Sequence, residues 1–305
     1  MPLQQYIALV AETEQITFAE LSKVSAALDK QVKRDFNEKW EVNSSVNAFA
    51  SLDDVPTDYW IVLVKDNIGY DAAGIHLDQD GQPYALVNYG SAWSLTASHE
   101  VLEMLADPFG SRVVAGQSPK PDQGRVNFLV EVCDPSEAAE FGYNINGVLV
   151  SDFYYKSFFD PVASPSVSYS FSGKILQPRM ILRGGYLSWE VPETREWWQT
   201  TWFTGASPVF RSLGVFDTAK FKNLRSFIDR STPTPLAQRE STAPKALLTA
   251  ASSRPQAVDL AAKGRARFLR EQVADLMRKS LVTGVTTKAI VAHEARRSSS
   301  KKKTR

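Results

Sequence analysis

Read at a period of 3.6 residues, the stretch from Thr96 to Pro108 separates into two surfaces. Thr96, His99, Glu100, Glu103 and Asp107 fall on one stripe at i, i+3, i+4, i+7 and i+11, while Val101, Leu102, Met104, Leu105 and Ala106 cover the rest. The pattern predicts a helix over 93–106. Pro108 ends it by pushing Asp107 out of the helical region. A second helical period spans 18–36, with Leu21, Val24, Ala27, Leu28, Val32 and Phe36 on its apolar side, as expected of a helix that backs a sheet.

Strand-like runs occupy 46–49, 60–64, 73–77 and 84–89, with Asp80-Gly81 as the hairpin signal between the last two. The segment 128–134 reads as a short buried strand ending at a turn. Alternation there points Glu131 and Cys133 to one face and Val132 and Asp134 to the other. Residues 143–150 form a second hairpin turning at Asn146-Gly147. Aromatics crowd 151–159, residues 170–189 and 197–203 read as strand-rich, and 218–228 as a closing helix. The elements specify an α/β (α+β) domain with a mixed sheet, a backing helix and a helix that carries the polar stripe.

A histidine and three carboxylates on one stripe of an apolar helix are costly to bury unless paired or bound to a cation. His99 and Glu103 lie one turn apart, so both reach one ion, and imidazole and carboxylate are both zinc ligands. Glu100 stands where the second residue of His-Glu-x-x-His serves as general base. Here the second histidine is replaced by Glu103, giving His-Glu-x-x-Glu. Glu131, isolated among Leu and Val, is a third ligand or the partner that orients His99, and Asp107 is a further ligand candidate at the helix end. The bland alternative is a polar helix face under a loop, with His99 bonded to a carboxylate. His76, one hairpin away, reads as a strand histidine with a satisfied hydrogen bond rather than a ligand. Tyr154 offers a hydroxyl for a developing oxyanion, or else belongs to the aromatic core.

From about Lys23 to Asp160 the chain resembles a family of uncharacterised bacterial proteins with zincin-like sequences. The resemblance rests on Ala27-Leu-Asp-Lys-Gln-Val-Lys-Arg-Asp-Phe36, Val55-Pro-Thr-Asp-Tyr-Trp60, Ala73-Gly-Ile-His-Leu-Asp78 and Gly81-Gln-Pro-Tyr-Ala-Leu-Val87. It continues through Ser98-His-Glu-Val-Leu-Glu-Met-Leu-Ala-Asp-Pro108, Glu131-Val-Cys-Asp-Pro135 and Val150-Ser-Asp-Phe153, and Leu182-Arg-Gly-Gly-Tyr186 extends it. It implies a metallopeptidase-like fold, and the chemistry of the stripe makes zinc the expected cofactor. In such folds an antiparallel edge strand before the site helix pairs with extended substrate, and the stretch from Tyr84 to Val87 is the candidate. The expected function is zinc-dependent hydrolysis of peptide or related amide bonds in a peptide or protein substrate. The opposing class is a non-catalytic binding or structural protein on a degenerate zincin scaffold.

Composition adds an organisation the periodicity does not show. The net charge of +1 hides a split: residues 231–305 carry 16 Lys/Arg against 5 Asp/Glu, leaving 19 against 29 before them. A Pro/Ser/Thr-rich linker over 231–256 divides a zincin-like domain, 1–230, from a basic segment, 257–305. In that segment 257–281 reads as a basic amphipathic helix and the end as a flexible polycation, suited to non-specific nucleic acid or an anionic surface. One Cys excludes an intramolecular disulfide framework. No apolar run reaches membrane-spanning length, and the start lacks a basic region followed by an apolar one, so a cytoplasmic location is expected.

Overall fold

Two five-stranded sheets and four helices carry the chain in the computed structural model, which describes residues 3–221 and 223–232. The elements run β1 (Gln5–Glu12), α1 (Phe18–Gln31), α2 (Asn37–Trp40), β2 (Ser44–Ala48), β3 (Trp60–Lys65), β4 (Gly74–Gln79), β5 (Gln82–Asn88) and α3 (Trp93–Ala106). They continue with β6 (Val113–Gln117), β7 (Arg125–Leu129), β8 (Tyr143–Ile145), β9 (Val148–Val150), β10 (Tyr186–Val191), β11 (Glu196–Thr201), β12 (Val209–Val215) and α4 (Leu224–Ser231). The mixed α/β class expected from the pattern is the class observed.

The first sheet has the order β2-β1-β3-β5-β4. Its strands are parallel except β4, which runs antiparallel to β5. Ile7, Ala8, Leu9 and Val10 on β1 are all buried, the continuous apolar run of a parallel strand covered on both faces. Thr17 caps α1 by accepting a hydrogen bond from the Glu20 N–H. The expected helix over 18–36 is α-helical to Gln31 and then widens into a π-helical turn, Val32–Phe36.

One expectation about this sheet is corrected. The strand of Tyr84 is not an edge: β5 is paired on both sides, and β4 is the outer strand. The reason lies in the turn. Asp80 and Gly81 both have positive φ, 53° and 79°, so the hairpin folds β4 onto the side of β5 away from β3. Tyr84 therefore has no free main-chain groups to offer an extended peptide.

The second sheet, β12-β11-β10-β7-β6, is antiparallel throughout. Its strand β7 stops at Leu129, so the expected strand over 128–134 ends early and residues 130–134 leave the ladder. The expected strand content over 170–189 is confined to its end, at β10. The hairpin β8–β9 turns at Asn146-Gly147 as expected. α3 lies against β3, β4 and β5 and also touches β9. It meets α1 through a buried hydrogen bond in which the Ser98 hydroxyl donates to Gln31 Oε1 at 2.7 Å.

The aromatic segment after β9 is core. Phe153, Tyr154 and Phe158 are fully buried, Phe153 meets Phe36 edge-on at 5.0 Å, and the Trp40 indole N–H donates to the Tyr154 carbonyl at 3.0 Å. At the other end, Asn223 caps α4 by accepting from the Ser226 N–H. The Gln199 side-chain amide donates to the Thr232 hydroxyl, which donates to the Ile228 carbonyl, both at 2.7 Å. The folded body thus runs at least to Thr232, past the boundary expected at Arg230. The linker beyond it and the basic segment, with its expected helix over 257–281, lie outside the described residues. Among the described residues no helix is long and apolar enough to cross a membrane.

Phe36 packs at 0 % exposure where α1, α2 and the aromatic segment meet. Replacing it by alanine deletes a buried ring, which typically costs about 3–5 kcal/mol. Urea unfolding of Phe36→Ala followed by tryptophan fluorescence is expected to show a loss of that size.

Candidate functional site

α3 is buried almost all round, and from Leu95 to Ala106 every residue is covered. It starts at Trp93 and ends where the sequence placed its stop, with Asp107 out of the helical region at φ −140° and ψ 77° before Pro108. The stripe faces inward. His99, Glu100 and Glu103 are 2 %, 0 % and 0 % exposed, so their charges depend on partners within the fold.

Three segments bring those partners. β4 carries His76, also fully buried, with Nδ1 at 3.6 Å from Glu100 Oε2 and 3.8 Å from Glu103 Oε2. The segment after β7 brings Glu131, Asp134 and Glu137, all buried. His99 Nε2 stands 3.0 Å from Glu103 Oε2 and 3.3 Å from Asp134 Oδ1. Glu137 joins His99 and Asp134 in one group whose donor atoms all lie within 4.8 Å. Finally, Arg225 reaches in from α4. Its Nη1 is 2.8 Å from Glu131 Oε2 and 3.7 Å from both Glu103 Oε2 and Asp134 Oδ2, and its Nε is held by Asp229 at 2.8 Å.

Two glycines make room for this. Gly74 sits beside Glu100 on β4, where a Cβ would come within 2.5 Å of Glu100 Oε1 and 2.6 Å of Thr96 Cγ2. Gly110, at φ 58° in the turn after α3, lies where a Cβ would meet the Arg225 Cβ at 2.8 Å. Without the first, Glu100 would not fit against β4; without the second, Arg225 would not reach Glu131.

The electrostatics follow from burial and imbalance. Five buried carboxylates, Glu100, Glu103, Glu131, Asp134 and Glu137, face two imidazoles and one guanidinium. Burial opposes a charge on His99, but Glu103, Asp134 and Glu100 outweigh it and push its pKa up to about 10. Burial also opposes the Glu103 carboxylate, and His99 and Arg225 reverse that, holding its pKa below the usual range. Glu131 goes the other way. Burial, reinforced by Glu103, Asp134 and Asp107, raises it well above an ordinary glutamate despite Arg225. Burial likewise raises Asp134, and raises Asp229 to about 6. Many polar atoms here have no hydrogen-bond partner, among them His76 Nδ1, His99 Nε2, both Glu100 oxygens, Glu103 Oε2 and Asp134 Oδ1. A buried atom of that kind ordinarily costs about 1–3 kcal/mol.

The structure brings together four of the residues singled out in the sequence, His99, Glu100, Glu103 and Glu131; Asp107 and Tyr84 are engaged elsewhere, and Tyr154 stands at the edge of the cluster. The Asp107 carboxylate is occupied, with Oδ2 accepting from the Arg112 N–H at 2.7 Å, so it closes the helix end rather than joining the cluster. Tyr84 lines a separate pocket with Tyr70, Leu77 and Phe221. Tyr154 is stacked on Phe158 at 4.2 Å. Burial first, and then Glu131 and Glu103, raise its hydroxyl well above an ordinary tyrosine. The cluster also recruits residues the sequence did not mark: Asp134, Glu137, Arg225 and Asp229. Strand alternation set Asp134 opposite Glu131, but the chain leaves the ladder at Leu129 and coils, so both point inward. His76 has the hydrogen bond expected of it, with Nε2 at 3.2 Å from the Asp107 carbonyl, and its other nitrogen faces the carboxylates.

No protein-family model matches the chain, no curated protein matches it and no solved structure matches it. The site itself therefore supplies the evidence for its chemistry. Its buried imidazoles and carboxylates form groups able to hold a metal ion, and the same 3.0 and 3.3 Å contacts around His99 also serve as ion pairs of a protonated imidazole.

Arg225 is the guanidinium that meets Glu131. Removing one partner of a buried ion pair typically costs about 3–5 kcal/mol, because the other charge stays buried. In chelator-treated protein, Arg225→Met is expected to lose stability in that range in urea unfolding at neutral pH. A loss below about 1 kcal/mol would show that Glu131 is satisfied without it.

Proposed function

We propose that the protein is a metal-dependent hydrolase of peptide or related amide bonds on a zincin-like scaffold, with zinc held by His99, Glu103 and Asp134. The observation that carries this reading is the pair of buried carboxylate oxygens at His99 Nε2, Glu103 Oε2 at 3.0 Å and Asp134 Oδ1 at 3.3 Å. Asp134 takes the third place that the sequence reading gave to Glu131 or Asp107, because Arg225 and the Arg112 N–H engage those two. Bound zinc acts as a Lewis acid and lowers the pKa of water.

The chain's own residues supply the rest. Glu100 follows His99, and its Oε1, which has no hydrogen-bond partner, is the oxygen placed to accept a proton from a water beside it. Glu103 Oε1 accepts from the Cys133 N–H at 3.2 Å, which fixes the carboxylate and turns Oε2 toward His99. A groove of about 360 Å³ opens one helical turn from Glu100, lined by Asp66, Asn88, Trp93 and Thr96. It is the space through which a substrate segment approaches α3.

A second reading has a specific observation behind it. Glu100, Glu103 and His76 are at 0 % exposure and Arg225 already neutralises part of the cluster, which favours a closed ion-holding core without catalysis. Two variants separate the readings. His99→Ala is expected to lose the metal of the wild type, measured by elemental analysis of protein purified without a histidine tag. Unchanged content in that variant refutes the metal site. Glu100→Gln is expected to keep the ion on His99 while hydrolysis of unstructured protein substrates falls about 10²–10⁴-fold. If the zinc-loaded wild type cleaves nothing across a broad peptide library, the non-catalytic reading stands.

A further inference from the structure

We propose that the cluster holds a second divalent cation, ligated by His76, Glu100 and Glu103, and that Glu103 bridges it to the ion on His99. The proposal rests on the metal reading of His99 and Glu103 and adds to it a ligand set of its own.

The orientation of His76 carries the argument. Its Nε2 lies 3.2 Å from the main-chain carbonyl of Asp107, a group that only accepts, so Nε2 bears the hydrogen. In the neutral ring that leaves the lone pair on Nδ1. This atom is buried, has no hydrogen-bond partner, and faces Glu100 Oε2 at 3.6 Å and Glu103 Oε2 at 3.8 Å, which also have none. Three acceptors thus face one another at a buried position; His99 and Arg225 meet Glu103 Oε2 from elsewhere, and a cation between the three would relieve the remaining repulsion. Both oxygens lie beyond the ~3.2 Å reach of an N–H···O hydrogen bond from Nδ1. Ligand atoms about 2.0–2.2 Å from a four-coordinate ion sit roughly 3.3–3.6 Å apart, so the 3.6 Å pair fits as it stands and the 3.8 Å pair closes by a few tenths of an ångström on binding. The bond from Nε2–H to a main-chain carbonyl is also the arrangement that orients a metal-ligating histidine.

Glu103 is placed to serve both positions. Its Oε1 is fixed by the Cys133 N–H, and its Oε2 stands between two imidazoles, 3.0 Å from His99 Nε2 and 3.8 Å from His76 Nδ1. Ions sharing such a carboxylate lie ~3.5–4 Å apart, the spacing of two-metal hydrolytic centres. Arg225 contacts Glu131, Asp134 and Asp229, and its Nη1 also stands 3.7 Å from Glu103 Oε2, but no ion pair joins it to His76 or Glu100, the two ligands that belong to the second position alone. Gly74 gives Glu100 the room to stand against β4 beside His76. Imidazole with carboxylates suits zinc or manganese.

The test counts ions in the full-length protein. Untagged protein is stripped with chelator, dialysed against buffered Zn²⁺ and analysed for zinc per chain. The expected result is two for the wild type and one for His76→Ala, with circular dichroism verifying that the variant is folded. One zinc in both proteins overturns the second site and leaves the ion on His99 intact, whereas none in the wild type removes both. Wild type loaded with Mn²⁺ gives a readout independent of any variant. Electron paramagnetic resonance is expected to show the multiline spectrum of a spin-coupled pair, and six-line spectra of isolated ions alone would overturn the proposal.

Discussion

A carboxylate taken from water into a protein interior costs several kcal/mol unless a cation meets it, and α3 places two of them, Glu100 and Glu103, at 0 % exposure. Much of the surrounding architecture answers that cost. β4 sets His76 against both glutamates, the coil after β7 turns Asp134 toward His99, and α4 drives a guanidinium into the gap beside Glu131. These contacts join the two sheets through one polar centre. The first sheet supplies β4, and the second supplies the strand from which Glu131 and Asp134 emerge.

The same centre ties the short helix α4 to the body. Phe227 and Ile228 pack with Leu129 and Trp197, while Arg225 spans from Asp229 on its own helix to Glu131 across the site. An ion pair buried this deeply is a weak source of net stability but a strong determinant of geometry, since either partner alone would be stranded. α4 is accordingly both a structural closure and the element that covers the acidic cluster. Solvent reaches Glu131 and Arg225 only at the level of 4 % and 3 % exposure.

Under the proposed chemistry, replacing the second histidine of His-Glu-x-x-His by Glu103 has a definite consequence. A carboxylate ligand leaves an ion less positive than an imidazole does and weakens it as a Lewis acid. A second ion sharing Glu103 would restore positive charge at the same place, and His76 is the residue that makes this possible. The two features belong together: the carboxylate that weakens one site is the group able to bridge to another.

Much of the frame was legible in the chain alone, because local periodicity suffices for it. The stripe on α3, its stop at Asp107-Pro108, the backing helix α1, the hairpins at Asp80-Gly81 and Asn146-Gly147, and the candidates His99, Glu100 and Glu103 follow from spacing within a few turns or strand pairs. Strand order did not follow, because pairing depends on partners distant in sequence; this is why β5 proved internal and β4 outermost. The site's membership was decided the same way. Alternation assigned Asp134 to the wrong face because it assumes a strand continuing beyond Leu129. His76 looked like an ordinary strand histidine, since nothing near it in sequence reveals which carboxylates its second nitrogen meets. Arg225, nearly a hundred residues beyond Glu131, carries no local signal at all. Spacing along the chain fixes which residues share a face, but only the packing of distant segments determines which charges are buried together.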